Sequence, residues 1–266
     1  MAFRLVLGLP IILIVITINR VRIRLSGNSR AIALASIIIG LHFIIQITGI
    51  KYTTATNTGW IISLTPLVTA ALAGIILKEK IGLRTVIGII IATSGILLLI
   101  SHGKIGDFKW LSSIGDWLVL GSAHTWALYT IVTRDVSRSQ NPLSVTFWVL
   151  LPSTVIASAI VVSSSDLRGF AALPAEAVIS LLFLGIVATA LAHWFWQFGL
   201  AKVGAAQAGI FLYLEPLATT SLAVPYLHES FGVFTALGGV MVLGGVWIAQ
   251  MNKKLTRDRN SASPEA

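Results

Sequence analysis

Residues 49–98 read GIKYTTATNTGWIISLTPLVTAALAGIILKEKIGLRTVIGIIIATSGILL, and residues 199–248 read GLAKVGAAQAGIFLYLEPLATTSLAVPYLHESFGVFTALGGVMVLGGVWI. Aligned without a gap at an offset of 150 positions, the two stretches share fifteen identical residues. The shared residues include Pro66/Pro216, Glu79/Glu229, Gly88/Gly238 and Gly95/Gly245. A repeat of this length indicates an internal duplication, so that the two halves of the chain share one architecture.

Both copies, and most of the remaining chain, are apolar. Of the 266 residues, 56% are hydrophobic and only 11% are charged, whereas a soluble domain carries about 25% charged residues. Apolar runs of roughly 20 residues, the length of a membrane-spanning helix, recur along the chain. The sequence therefore predicts an all-α, polytopic membrane helix bundle with about nine spans: 3–19, 31–50, 54–77, 81–101, 115–133, 143–163, 175–198, 204–226 and 231–250.

The net charge of +9 is best explained by membrane topology. Loops that stay in the cytoplasm are enriched in Lys and Arg. With alternating spans and a cytoplasmic C-terminus, fourteen Lys and Arg residues fall inside and four outside. The same alternation places the loop 78–82 inside and its repeat counterpart 228–232 outside, so the two copies are predicted to be inverted. Nucleic-acid binding, an alternative for a basic protein, is not expected.

The repeat also predicts the domain organisation. Residues 1–101 form a first repeat with four helices, residues 115–250 a second repeat with five, and residues 251–266 a polar cytoplasmic tail. The helix that the first repeat lacks would precede Met1. Either the start codon was assigned too late, or the chain is a natural nine-helix variant; a truncated, non-transporting membrane subunit is one alternative function.

Several motifs give the chain a family resemblance: GIKYTTA (49–55) before LTPL (64–67) and KEKIG (78–82), WALYT (126–130), and GLAKVGA (199–205) before YLEPL (213–217) and HE (228–229). In this combination they resemble the EamA-type transporters of the drug/metabolite transporter superfamily, which have ten helices in two inverted halves. The resemblance implies a multi-pass secondary transporter of small metabolites or drugs in a cell inner membrane. It further implies alternating access, in export or uptake, with proton coupling or exchange as the energy source.

Glu215 is the strongest candidate for a substrate site. Of the ten acidic residues, it is the only one at the centre of a predicted span. A charged side chain there costs at least about 2.5 kcal/mol on insertion, so it is expected to face protein or a water-filled cavity. The alternative is a neutral carboxyl group that holds two helices together. A central acid favours an amine-bearing or zwitterionic substrate over an anion.

Further candidates follow from helical spacing. Gln207, Phe211 and Glu215 are four residues apart and share a helix face, and their repeat counterparts are Asn57, Ile61 and Thr65. Such polar residues either line a central cavity or form interhelical hydrogen bonds. The predicted substrate-binding set is completed by Trp60, which borders the first stripe, by the pairs His42/Gln46 and His193/Gln197, and by the aromatic pair Trp126/Tyr129.

The two histidines are candidates for proton coupling, and the aromatic pair for contact with an organic cation. Simple packing is the alternative for each. Pro66 and Pro216 lie within spans and are predicted to act as hinges or as static bends. Glycines 88, 95, 238, 244 and 245 are predicted to permit close helix contact.

Other chemistry finds no support in the sequence. No phosphate-binding loop, metal-ligand spacing or cysteine is present, so neither a cofactor nor a metal ion is expected. A membrane-embedded lipid-modifying enzyme would need clustered acids or a cationic pocket, and the chain is predicted not to be an enzyme. The partners expected are a small molecule and the lipid bilayer, with the oligomeric state left open.

Overall fold

The fold is known from a computed structural model that describes residues 2–23, 28–53, 55–101, 113–164, 173–215, 218 and 232–251. Every regular element in these ranges is helical. The α-helices are α1 (Ala2–Ile18), α2 (Ser29–Ile50), α3 (Ala55–Ile62), α4 (Thr65–Ile76), α5 (Leu83–Ser101), α6 (Ile114–Ser139), α7 (Pro142–Ser164), α8 (Ala175–Gly185), α9 (Ala192–Val203), α10 (Ala205–Ile210) and α11 (Val233–Gln250). A π-helical turn, Ile186–Leu191, joins α8 to α9, and a 3-10 turn, Phe211–Tyr213, follows α10.

The predicted helix bundle is confirmed. Three stretches of the described residues are long and apolar enough to cross a membrane, namely Ser29–Ile50, Pro142–Ala159 and Ala175–Val203. Shorter apolar helices occur at Phe3–Ile18, Thr65–Ile76, Leu83–Gly95 and Ala236–Ala249. The chain is therefore a membrane protein with several apolar helices.

The predicted span 54–77 is wrong in one respect, because it is not one continuous helix. It is divided into α3 and α4 by a turn at Ser63 and Leu64, with Pro66 in the first turn of α4. Proline has no backbone N–H to donate to the preceding helical turn, and it is well tolerated at a helix start. The second copy departs from α-helical geometry at the equivalent place, in the 3-10 turn just before Pro216.

The described residues form two compact units that do not follow the sequence repeat. The first unit consists of Met1–Ile47 and Leu128–Gly204, and the second of Thr48–Ala127 and Ala205–Ala266. Each unit thus takes helices from both halves of the chain. The predicted boundaries at 101 and 115 describe the duplication, and their status as domain limits stays a prediction.

Within the second unit, α5 and α11 cross at glycines that are repeat counterparts of each other. A Cβ atom placed on Gly88 would lie 2.4 Å from the Gly245 carbonyl oxygen, and one on Gly95 would lie 2.7 Å from the Gly238 carbonyl oxygen. Residue 88 of the first copy thus meets the counterpart of residue 95, and residue 95 meets the counterpart of residue 88. This reciprocal, antiparallel pairing is what a two-fold relation between the copies produces. It agrees with the inverted-repeat architecture predicted from the sequence.

The same crossing tests the predicted role of the glycines. Gly88, Gly95 and Gly245 leave no room for a side chain, and the Gly238 backbone lies at the contact, so close packing is confirmed there. Gly244 was grouped with them wrongly, since a Cβ atom at this position would meet nothing within 4 Å. Periodicity explains the difference, because residues 238 and 245 are seven apart and share a helix face that residue 244 does not.

Candidate substrate site

The predicted polar stripe of the second copy lies in the second unit, on α10 and the turn that follows it. Gln207 is half-buried, Phe211 is 46% exposed, and the Glu215 side chain is exposed. Among the described residues, Glu215 has neither a hydrogen-bond nor an ion-pair partner. The stripe is therefore open along its length and ends in an unpartnered carboxyl group.

The counterpart face of the first copy is closed. Ile61 is 0% exposed and Thr65 is 2% exposed, although their repeat counterparts are Phe211 and Glu215. The duplicated positions thus have different surroundings in the two copies, which the sequence repeat alone does not indicate. The side chains of Asn57 and Trp60, and the whole of Pro216, lie outside the described residues, so the placement predicted for them stays a prediction.

α10 packs directly on α4. A Cβ atom on Gly209 would lie 3.3 Å from the Thr69 side chain and 3.7 Å from the Pro66 Cα atom. Thr69 is fully buried, and its hydroxyl has no hydrogen-bond partner among the described residues. This contact holds the C-terminal end of α10, the helix that carries Gln207, against α4.

The start of α10 is held by a carboxylate from the first copy. Glu79 accepts hydrogen bonds from the backbone N–H groups of Ala205 and Ala206, each at 3.3 Å. These N–H groups belong to the first helical turn, where no carbonyl group of the helix is available, and a negative charge is favourable at this end of a helix. Glu79 follows α4 in the chain, and its carboxylate bonds to the start of α10. It therefore links these two helices.

In the first unit, Gln197 on α9 is buried and bonded to three side chains of α6. Ser137 donates to its Oε1 atom, and its Nε2 atom donates to the Tyr129 hydroxyl at 2.5 Å and to Thr133 Oγ1 at 3.3 Å. The structure thus brings Gln197 and Tyr129 together, both at 0% exposure. One acceptor and two donors satisfy most of the hydrogen-bonding capacity of an amide. This cluster connects α6 to α9, and both polar atoms of the Gln197 amide are hydrogen-bonded within it.

Trp126 lies one turn before Tyr129 on α6 and is half-buried. The predicted aromatic pair therefore has one fully buried and one partly accessible member.

The predicted histidines lie in a second buried cluster of the first unit. His193 is 2% exposed and His42 is 4% exposed. The Phe43 ring contacts both imidazoles, at 5.5 Å from His42 and 5.7 Å from His193 between ring centroids. His193 Nδ1 lies 2.9 Å from the Thr189 carbonyl oxygen, which assigns a proton to Nδ1. Gln46, one turn beyond His42, is half-buried.

Arg4 completes this cluster and was not among the predicted site residues. Its Nε atom donates to Thr189 Oγ1 at 2.8 Å, its Nη2 atom donates to the Ala188 carbonyl at 3.0 Å, and the guanidinium lies 5.3 Å from the Phe43 ring centroid. Residues 188 and 189 lie at the middle of the 29-residue stretch Ala175–Val203. The long side chain carries its charge from the beginning of α1 to the middle of a neighbouring span.

Two local features make this contact possible. A Cβ atom on Gly8 would lie 3.0 Å from the Gly185 carbonyl oxygen, and one on Gly185 would lie 2.6 Å from the Leu7 Cβ atom, so α1 and α8 touch through their backbones. In the π turn, the Ala192 N–H bonds to the carbonyls of Val187 and Thr189 and passes over Ala188. The Ala188 carbonyl accepts a hydrogen bond from Arg4 instead of from Ala192. π turns inside α-helices occur frequently at functional sites.

Among the described residues, no three His, Cys, Asp or Glu side chains are grouped so that they could bind a metal ion together. The expectation that the protein needs no metal or cofactor stays a prediction.

Comparison with known proteins identifies the family. The sequence profile of the EamA-like transporter family matches residues 1–101 and 113–251. The uncharacterized transporter YyaM of Bacillus subtilis is 31% identical over 202 residues, which cover 76% of this chain and 66% of the relative. A probable terminal-alkyne amino-acid exporter of Streptantibioticus cattleyicolor is 24% identical over 204 residues, covering 77% of this chain and 66% of that protein. The chain thus spans about two thirds of the length of these relatives.

The fold has a solved counterpart as well. A crystal structure of another protein, 15% identical in sequence, superimposes with a TM-score of 0.77 over 94% of this chain and 87% of that one. At this identity the likeness concerns the fold alone. Together with the repeated apolar helices and the family match over most of its length, it leads to one conclusion: the chain belongs to the EamA-like transporter family.

Proposed function

We propose that this protein is a secondary transporter of small amine-bearing or zwitterionic molecules, working by alternating access. Membership of the EamA-like transporter family and the inverted repeat support transport in general. A relative is described as a probable amino-acid exporter, and amino acids are zwitterions of the proposed class.

The observation that carries the substrate class is the environment of Glu215. A carboxylate facing lipid at mid-span would be costly, and a buried one would need a partner. Glu215 is exposed and has no partner among the described residues. We therefore infer that it faces a water-accessible space, where it binds the cationic group of the substrate. Exchange of that cation for a proton would couple transport to a proton gradient.

The other polar candidates divide into two roles. Gln207 and Phe211 lie on the same open stripe as Glu215 and are proposed to contact the substrate. Gln197 is occupied by protein groups, and we assign it to holding α6 and α9 together. His42 and His193 are buried beside Phe43, in the cluster that contains Arg4.

The protein is proposed to lie in the cell inner membrane with its C-terminus in the cytoplasm. The distribution of Lys and Arg over the loops supports this orientation, because cytoplasmic loops are enriched in these residues.

The experiment measures counterflow of radiolabelled amino acids, polyamines and quaternary ammonium compounds in proteoliposomes. For any substrate of the wild type, Glu215→Gln is expected to lower flux about 10- to 100-fold, since a hydrogen bond to a charged group contributes about 1.5–3 kcal/mol. Glu176→Gln is the matched control, because Glu176 is an exposed acid in the first turn of α8. Unchanged flux and unchanged pH dependence in Glu215→Gln would refute the assigned role. Absence of flux for every compound in the wild type would refute transport of this class.

A further inference from the structure

Arg4 holds a positive charge against the middle of the apolar stretch Ala175–Val203, and the described residues do not neutralise it. Its two hydrogen-bond acceptors, the Thr189 hydroxyl and the Ala188 carbonyl, are both uncharged. No Asp or Glu among the described residues pairs with it. A cation at this depth is costly unless it is paired or hydrated.

The guanidinium is only partly used. Arginine has five N–H donors, of which the two bonds to Thr189 and Ala188 occupy two. The residue as a whole is half-buried. Contact with one face of Phe43 leaves the edge of the guanidinium with donors for an additional acceptor.

The protein also fixes this side chain in place. The glycine contact between α1 and α8 brings the helices together, and the Ala188 carbonyl of the π turn accepts a hydrogen bond from the guanidinium. Thr189 donates its own hydroxyl hydrogen to the Leu184 carbonyl at 2.7 Å, so its oxygen lone pair is directed to Arg4 Nε. A guanidinium held by one edge can bind an anion with the N–H groups of another edge, and its planar fork matches a carboxylate.

We propose that Arg4 binds the carboxylate group of the transported molecule. A carboxylate balances the single charge, whereas a phosphate dianion would call for a second cation. Binding of a carboxylate here rests on the proposed transport function and narrows it, because the substrate must then carry a carboxylate group, which a simple amine lacks. Phe43, whose ring lies under the guanidinium and in contact with both histidine rings, forms the apolar wall of this site.

The experiment compares amino acids with the amines that lack only the carboxylate. The probe pairs are L-leucine with 3-methylbutylamine, and L-phenylalanine with 2-phenylethylamine. Affinity is measured on the purified full-length protein in detergent from ligand-dependent stabilisation, and transport from counterflow in proteoliposomes. For at least one pair, the wild type is expected to bind the amino acid about 10- to 100-fold more tightly than the amine, as a charge-assisted contact provides.

Arg4→Gln is expected to remove this preference, because it weakens the binding of the amino acid and leaves the affinity for the amine unchanged. Arg84→Gln, at an exposed position in the first turn of α5, is expected to keep the preference. Arg4→Lys retains the charge but not the planar guanidinium, so the ratio of the two affinities should lie between those of the wild type and Arg4→Gln. If Arg4→Gln is not monodisperse, the ratio in the wild type and in Arg4→Lys decides the question.

Two results would overturn the assignment. One is equal affinity of the wild type for both members of each pair. The other is an equal loss of affinity for both members in Arg4→Gln, because a purely structural role of Arg4 would produce that result. These results differ from failure of the proposed function. If amines are transported without a preference for the carboxylate, only the Arg4 site is refuted; if nothing is transported, the transport proposal itself fails.

Discussion

The glycine crossing of α5 and α11 gives the most direct prediction about stability. In Gly88→Ala, the new methyl group would lie 2.4 Å from the Gly245 carbonyl oxygen, 2.6 Å from the Ala249 Cβ atom and 2.8 Å from the Ala249 backbone nitrogen. Two of these three atoms belong to the backbone and cannot rotate away. An ordinary contact of at least 3.4 Å therefore requires α5 and α11 to separate by about 1 Å at this point.

Overpacking of this kind costs about 1–3 kcal/mol, and alanine in place of glycine returns up to about 1 kcal/mol in helix propensity. We expect a net loss of about 1–2 kcal/mol for Gly88→Ala and for Gly245→Ala. For a chain of this size, that loss lowers the midpoint of thermal unfolding by roughly 2–8 °C. Gly244→Ala is the matched control, since its methyl group meets nothing within 4 Å, and it should be neutral or slightly stabilising.

The assay is thermal unfolding of the detergent-purified protein, followed by the fraction that remains monodisperse after heating. The reasoning would be refuted if Gly88→Ala were as stable as the wild type, or if Gly244→Ala and Gly245→Ala lost the same stability. Either result would mean that the reciprocal contact between the two copies does not exist at the observed distance.

The same assay checks three further substitutions. Gln197→Leu removes the amide that joins α6 to α9 and should cost about 1–3 kcal/mol, and a neutral result would contradict the hydrogen bonds described. Glu79→Ala removes the carboxylate at the start of α10 and should cost about 0.5–2 kcal/mol, whereas Lys80→Ala beside it should be neutral; equal effects would refute the cap. Thr189→Val keeps the volume but removes the acceptor of Arg4 Nε, so it should lower the midpoint and also the affinity for amino acids, and a change in neither would contradict that contact.

Much of the fold follows from the sequence because the bilayer imposes simple rules. Apolar runs of helix length had to be helices, and the gap-free repeat had to give equivalent elements in both halves. The break between α3 and α4 is harder to predict from the sequence, because a proline indicates a disturbed helix but not whether the helix bends or ends there. The composition of the two compact units, each from both halves, depends on long-range packing that no local pattern encodes.

The site was predicted less completely than the fold. The sequence predicts Gln197 and Tyr129 as polar and aromatic site residues within spans, and the structure does bring them together, although the amide is occupied by protein groups. Arg4 is not predicted as a site residue, since it stands at the beginning of its span. The reach of its side chain and the π turn that offers it a carbonyl become visible only in three dimensions. The sequence alone does not single Arg4 out, since Arg84 also falls near the beginning of a predicted span.

The inverted orientation of the two copies is the claim on which alternating access depends most directly. Because the chain has no cysteine, single cysteines can be introduced as Lys80→Cys in the loop 78–82 of the first copy and as Ser230→Cys in its repeat counterpart 228–232. Each variant is labelled with a membrane-impermeant maleimide in intact cells and in inside-out vesicles. We predict that Ser230→Cys reacts from outside the cell and Lys80→Cys only in the vesicles. Reaction of both from the same side would contradict the inverted repeat and the transport mechanism that rests on it.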